Sequence, residues 1–444
     1  MLLLISSLLL MSCGADKYMK KGEKFLALGE YYDAANQFKQ AYTRTPAKER
    51  DTRGKRALKM AQCYQRINAT PKAIAAYRNA IRYNQASKED QLAYARQLLK
   101  NGDYRQAEKV FLMLKDSMPG NQLVANGLKS AQMAPEWKKQ GSRYIVKRMD
   151  VFNSRRHDYS PELFGDDYDQ LYFTSTRNEA LGDELSGITG TKAGDIFLSE
   201  KDDRGKWSKP EAIGTGLNTD YDEGACCFTP DGREMYLTQC VTDPSSPRYA
   251  QIATSPRSDA AWGKATMLEV TKDTLSSYAH PAISPDGEWL YFVSDMPGGM
   301  GGLDIYIAKV DAKTRQYKIE HPGYPLNSEG DDFGMTFEGP HNRGFFSSNR
   351  KDGRGYDHIY SFENPEIITT IKGWVYEMGG YELTAAQVMV VGNDGTYKKL
   401  PVKGDGSFTL PIKPHVDYLL MASCKGFLNH KEELRVDTAK ESKE

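Results

Sequence analysis

Few residue types that do chemistry stand at spacings that would let them act together. Gly298-Gly299-Met300-Gly301-Gly302 could cradle a phosphate on backbone N–H groups, but that use needs a helix N-terminus after the glycines. Leu303-Asp304-Ile305-Tyr306 reads instead as a strand, so a loop between two strands is expected. Asn218, Asp220 and Asp222 match the first ligands of a calcium loop, yet the glycine comes one position late, at Gly224, and the twelfth-position glutamate is missing. The related Asn327, Glu329 and Asp331 point to a repeated connection between units rather than a metal. His430 and Glu433 form an H-x-x-E by count only, and His157, His280, His321, His341, His358 and His415 stand alone, as loop or strand-end residues do. There is no G-x-S-x-G elbow. No catalytic residue, metal or cofactor is expected.

The cysteines are six: Cys13, Cys63, Cys226, Cys227, Cys240 and Cys424. If Pro230-Asp231-Gly232 centres a hairpin, Cys227 faces Tyr236, Cys226 faces Leu237 and Cys240 falls near Glu223, too far for an easy disulfide. Cys226 and Cys227 would then fill tight positions where a related copy uses Pro281 and Ala282.

The elements that position these residues must come from 444 residues, room for about three domains. Lys plus Arg and Asp plus Glu are 59 each, and zero net charge argues against a chain-wide nucleic-acid binder. Hydrophobic residues are 39%, with 27 Tyr and 16 Phe, enough for cores. No apolar run approaches the ~20 residues of a membrane-spanning helix, which excludes an integral helical membrane protein but not a tethered one. Residues 1–12, MLLLISSLLLMS, are a short apolar stretch lacking the basic start of an export signal. Leu10-Met11-Ser12-Cys13 resembles a bacterial lipobox, with Met11 where a small residue is preferred. The expectation is cleavage before Cys13, its lipidation, and attachment of the chain to a membrane surface by the acyl chains.

Three sections follow with different periodicities. Gly22, Phe25, Gly29, Tyr31, Ala34, Phe38, Ala41 and Pro46 begin a helix-turn-helix repeat. Later copies centre on Ala73 and Ala107, 39 and then 34 residues on. Small residues where helices touch and aromatics beside them resemble the tetratricopeptide (TPR) repeat, placing a TPR domain at 13–142 with a capping helix in residues 120–140.

From Tyr144 the period changes to short strands in four related copies. Their second strands are LYFTST, MYLTQC, LYFVSD and GFFSSN, and their third strands carry Ile196, Ile252, Ile305 and Ile359, spaced 56, 53 and 54 apart. Thr229-Pro230-Asp231-Gly232 and Ser284-Pro285-Asp286-Gly287 are hairpin turns, with Pro fixing the first turn position and Gly the positive φ. Tandem four-stranded units imply a β-propeller at 143–364, and the motif resembles the TolB-type repeat. No fourth strand is obvious after HIYSFE, so the segment Tyr144–Phe152 is expected to complete the last unit; four blades then suffice, though a fifth is not excluded. Residues 365–437 carry short strands with Asn393-Asp394-Gly395 and Gly404-Asp405-Gly406 turns, and resemble the carboxypeptidase regulatory-like β-sandwich, followed by a charged tail at 438–444. The fold class expected is an all-α solenoid, then an all-β propeller, then a small β-sandwich.

Charge is unevenly placed. Residues 14–142 hold 25 Lys plus Arg against 12 Asp plus Glu, net +13, so the remainder carries −13. In the TPR pattern Gln62 and Arg66, then Arg96 and Lys100, each at i,i+4, line the concave groove and are candidate protein-binding residues. Arg66, Arg96 and Lys100 are expected to converge on one surface. That surface would attract either an acidic partner or the acidic half of this chain.

The order of lipobox, TPR repeats, TolB-type propeller with its GGxGGxDIY loop and regulatory-like sandwich resembles the PorE family of the type IX secretion system. The resemblance implies a non-catalytic, outer-membrane-tethered periplasmic scaffold of secretion or gliding machinery. Outer-membrane β-barrel and other secretion components would be its partners. Relatives continue into an OmpA-like peptidoglycan-binding domain, and this sequence stops before one, so peptidoglycan is expected as a partner only of a chain that carries it. The alternative is a sugar- or peptide-binding module of an outer-membrane nutrient system; a propeller enzyme acting in its channel ranks last.

Overall fold

Seven helices open the chain: α1 Leu2–Ala27, α2 Tyr31–Arg44, α3 Arg50–Arg66, α4 Thr70–Arg82, α5 Lys88–Lys100, α6 Tyr104–Ser117 and α7 Gln122–Gln140. The computed structural model describes residues 2–180, 184–213, 227–240, 246–258, 261–310, 317–340, 342–353, 355–365, 369–413 and 416–435, without the side chains of residues 2–13, Trp262 and Val310. Each helix packs on the next. Ala34, Ala73 and Ala107 are fully buried where the helices meet. Two glycines explain how close the helices come. A Cβ at Gly22 would stand 2.6 Å from the Phe38 ring, and one at Gly127 2.2 Å from the Phe111 ring, so each ring seats on a bare backbone. Helix α5 starts at a capping box in which Ser87 and Asp90 exchange side-chain-to-backbone bonds. Helix α7 lies where the capping helix was expected.

After strand β1 (Ile145–Arg148) come the repeated sheets. The first is β2 (Asp158–Phe164), β3 (Gln170–Ser175), β4 (Asp195–Glu200) and β5 (Glu211–Ala212). The second is β6 (Cys227–Phe228), β7 (Glu234–Cys240), β8 (Ala250–Ser258) and, beyond short β9 (Ala261–Trp262), β10 (Thr266–Met267). The third is β11 (Tyr278–Ile283), β12 (Trp289–Ser294), β13 (Asp304–Val310) and β14 (Tyr317–Glu320). The fourth is β15 (Asp332–Phe337), β16 (Arg343–Ser348) and β17 (His358–Glu363), and its outer place is taken by β1, antiparallel to β17 with Val146 opposite Phe362. Ile196, Ile252, Ile305 and Ile359 occupy one register position, opposite Thr174, Thr238, Val293 and Ser347.

The chain enters the first sheet by the device that links the third to the fourth. Asn327 takes the N–H of Ile305 on Oδ1 (2.7 Å) and returns Nδ2 to its carbonyl (2.8 Å). Asn153 does the same to Ile359, at 2.7 and 2.8 Å. Within each sheet reached this way an arginine closes the corner: Arg177 binds Ser175, Asp158 and the Phe152 carbonyl, and Arg350 binds Ser348, Asp332 and the Leu326 carbonyl. Asp158 and Asp332 are fully buried, so their charges are matched rather than solvated.

Innermost strands β2, β11 and β15 each break register at a bulge, and the bulged residues Ser160, His280 and Gly334 have positive φ (51°, 45° and 63°). Two of the bulges reach a neighbouring sheet: the Ser160 N–H donates to Ser347 Oγ and the His280 N–H to Thr238 Oγ1, both at 2.8 Å. The first sheet therefore meets the fourth, and the third meets the second. Strand β11 also packs on β15, so the sheets follow one another as second, third, fourth, first. The connection from first to second runs through residues 214–226, outside the described residues together with Asn218, Asp220, Asp222, Gly224 and Cys226. His341, His415 and the tail at 438–444 lie outside them too.

The helices and these four sheets form one compact unit, Met1–Asn364, and Pro365–Glu444 a second. In the second, β18 (Thr369–Trp374) pairs with β21 (Ser407–Ile412), while β20 (Tyr397–Pro401), β19 (Gln387–Gly392), β22 (Asp417–Ser423) and β23 (His430–Arg435) form a sheet in that order. Val388, Val390, Leu410, Ile412 and Tyr418 make its core.

Replacing Asn153 with Ala should cost about 1–3 kcal/mol, because the Ile359 N–H of β17 loses its partner while its carbonyl keeps only the Met149 N–H. Hydrogen exchange should show faster exchange at Val146–Arg148 and Ile359 while the amides of α3–α6 keep their protection.

Candidate functional site

Helix α5 turns one face toward the sheets. Arg96 and Lys100, one helical turn apart, point the same way. The Arg96 guanidinium pairs with Asp295 Oδ2 (2.8 Å) and the Lys100 ammonium with Asp331 Oδ2 (2.5 Å). Asp295 follows β12 and Asp331 precedes β15, and each is also held from its own side: Ser277 N–H donates to Asp295 Oδ1 (2.8 Å), while Leu303 N–H (3.0 Å) and Asn349 Nδ2 (2.9 Å) donate to Asp331. Asn68, in the turn between α3 and α4 at φ 58°, adds a bond to Asp331 Oδ2 at 2.8 Å. Burial pushes the Asp331 carboxyl up, but the charge and hydrogen bond of Lys100, with those of Asn349 and Leu303, outweigh it and hold the group down at about 2.

The glycine-rich loop between β12 and β13 is the second contact. Its Gly298 N–H donates to Ser130 Oγ and its Gly298 carbonyl accepts from Trp137 Nε1, both at 2.9 Å, and the Trp137 ring lies against His321 at 4.7 Å between centroids. A Cβ at Gly301 would sit 2.3 Å from the Glu329 carbonyl oxygen and 2.9 Å from that of Leu99 in α5. The glycines let two backbones meet, and Met300 N–H binds Asp304 Oδ2 (2.7 Å) to fix the loop. A strand follows them, as expected.

A third contact lies at α2. No side chain caps this helix; instead the N–H groups of Tyr32 (3.0 Å) and Asp33 (3.2 Å) donate to the carbonyl of Gly187, between β3 and β4. The Tyr32 ring covers Gly190, leaving no room for a Cβ there.

Of the four groove residues expected to bind protein, Arg96 and Lys100 therefore meet the chain's own carboxylates. Arg66 does not converge with them on these carboxylates. It is exposed, its guanidinium lies 5.9 Å from the Tyr31 ring centroid, and it makes no ion pair among the described residues. As the last residue of α3 its side chain reaches back over α2. Gln62 donates to Asp90 Oδ1 (3.1 Å) within the helical section. Cys13 lies in helix α1, its side chain outside the described residues. Spacing and charge do not single out Asn68, Ser130 or Trp137; they meet the sheets only through the tertiary fold.

The other chemical candidates stay apart. Cys227 lies opposite Tyr236, as the hairpin predicts. Cys63, Cys240 and Cys424 carry free thiols, and burial pushes the Cys63 thiol up to about 11. His430 and Glu433 are three apart on strand β23, and so project to opposite faces. No group of three or more His, Cys, Asp or Glu that could hold a metal ion occurs among the described residues.

Because Asp331 is more acidic folded than unfolded, the junction is stabilised above about pH 4 and loses that stabilisation as pH falls toward 2. Lys100→Met should cost about 2 kcal/mol at pH 7, less than for a pair with no other partners because Asn68, Asn349 and Leu303 still serve the carboxylate. It should also raise the Asp331 pKa, so that the difference between variant and parent narrows in denaturant melts run from pH 7 down to pH 3.

No protein-family model and no curated protein matches the chain. Among solved structures it resembles prolyl endopeptidases studied for inter-domain dynamics (14% identity, TM-score 0.22, 57% of this chain and 37% of that one). Others are a puromycin-hydrolyzing peptidase of Mycobacterium tuberculosis (14%, TM-score 0.22, 65% and 54%) and the GH43 endo-arabinanase of Bacillus licheniformis (11%, TM-score 0.21, 59% and 96%). This chain spans well under two thirds of the length of the peptidases, and similarity at this level carries no argument about function.

Proposed function

We propose that the chain is a non-catalytic scaffold of the type IX secretion or gliding machinery. In this reading it is held to the periplasmic face of the outer membrane by a lipid on Cys13 and works by protein–protein contact. Its parts are a TPR solenoid, a four-bladed TolB-type propeller and a regulatory-like sandwich. The four-blade reading is supported by the first sheet meeting the fourth through Ser160 and Ser347, and by Asn153 repeating the part of Asn327.

The observation that carries the functional reading is the junction itself. Two ion pairs, Arg96–Asp295 and Lys100–Asp331, and the seat of Gly298 on α7 lock two interaction folds into a single body. A rigid composite surface suits an assembly part that must hold other proteins at fixed spacing. The nutrient-module alternative has one observation in its favour: Trp374, Tyr376 and Tyr381 are more than half exposed on the second unit, and exposed aromatic rings can stack on sugars.

In cells carrying the secretion machinery, the chain should fractionate with outer membranes and co-purify with β-barrel components. Cys13→Ala should abolish acyl labelling and release it to the soluble fraction. Equal labelling of the two forms would remove the tether, and titration of a soluble glycan in place of any protein partner would favour the alternative.

A further inference from the structure

The face of α5 that carries Arg96 and Lys100 is occupied by the chain's own sheets. The opposite side of the same helices is not. Between α4 and α6, floored by α5, runs an open cleft of about 1180 Å³. Ile81, Tyr94, Val110 and Met113 give it an apolar lining, and Met113 is 67% exposed with Leu112 beside it at 45%. Arg78 from α4 and Arg105 and Lys109 from α6 border it, all three exposed. None of these cations makes an ion pair or hydrogen bond among the described residues, whereas Arg96 and Lys100 are both committed. The one acid in the lining, Asp103, already accepts from Asn101.

We propose that this cleft is a docking site for an acidic amphipathic segment of a partner protein. Its carboxylates would meet Arg78, Arg105 and Lys109, and its apolar side chains would lie on Ile81, Val110 and Met113. The chemistry selects the occupant. Three unpaired cations around an apolar floor favour a segment that brings both negative charge and hydrophobic surface. A helix of ~10 Å diameter fills such a volume with about three turns. The inference rests on the scaffold reading, and adds where on the helical section a partner binds and what the partner looks like.

The test uses the full chain and a fluorescein-labelled peptide of Glu and Leu at helical spacing. Controls are a Lys/Leu peptide of the same pattern and phosphatidylglycerol vesicles. The Glu/Leu peptide should bind, with affinity falling roughly tenfold or more between about 50 mM and 500 mM salt. Arg78→Glu with Lys109→Glu should weaken it about as much again without moving the thermal melt, and Arg78→Ala with Lys109→Ala by less. Equal binding of the Lys/Leu peptide, binding to vesicles but not to the peptide, or unchanged affinity in the charge-reversed variant would overturn the site. Failure of the scaffold reading looks different: the peptide binds as expected, yet the chain co-purifies with no secretion component. If instead components co-purify undiminished with the charge-reversed chain, the scaffold reading stands and the cleft is refuted.

Discussion

One carboxylate joins the two halves of the larger unit. Asp331 accepts from Lys100 and Asn68 on the helical side and from Asn349 and Leu303 on the sheet side, and it is almost wholly buried. A buried charge is tolerated only when its partners hold it from all sides. Those partners come from the end of α5, the α3–α4 turn, the loop before β13 and the end of β16, so the carboxylate is fully matched only when all four are in place. The glycine loop then has its course fixed, with Gly301 against the backbone of α5 and Gly298 against α7. The arrangement uses part of the segregation of charge along the sequence. The basic helical section and the acidic remainder attract each other, and the pairs at Asp295 and Asp331 are where that attraction becomes specific.

Much of the architecture was legible because it repeats. Recurrent Ile, the Pro-Asp-Gly turns and the switch from helical to alternating period identify the four sheets and their register, and the missing outer strand of the last sheet was located in the segment that holds β1. What the sequence hid is carried by single residues. Ser-x-Arg recurs at Ser175–Arg177 and Ser348–Arg350, but only a buried aspartate from another strand gives the triplet meaning. The bulges at Ser160 and His280 are marked in the sequence only by the prolines that follow, Pro161 and Pro281, while the positive φ itself is held by bonds to a neighbouring sheet.

The candidate site was half legible. Spacing on a helix placed Arg96 and Lys100 on a common face, and charge asymmetry suggested the acidic half of the chain as one possible ligand. Spacing could not say that Arg66, at the last residue of its helix, would lie against Tyr31 instead. Nor could it say that the glycine loop, expected between two strands, serves for close approach of backbones. Both outcomes depend on tertiary neighbours more than a hundred residues away or on the last turn of a helix, where side-chain direction is least constrained by sequence.

The central claim is that helices and sheets move as one body. Distances between spin labels placed on α6 at Gln106 and on β14 at Lys318 of the full chain test it most directly. A single narrow distance distribution, broadened when Asp331 and Asp295 are both replaced by Ala, is the predicted result. A broad distribution in the parent chain, unchanged by those substitutions, would contradict the account.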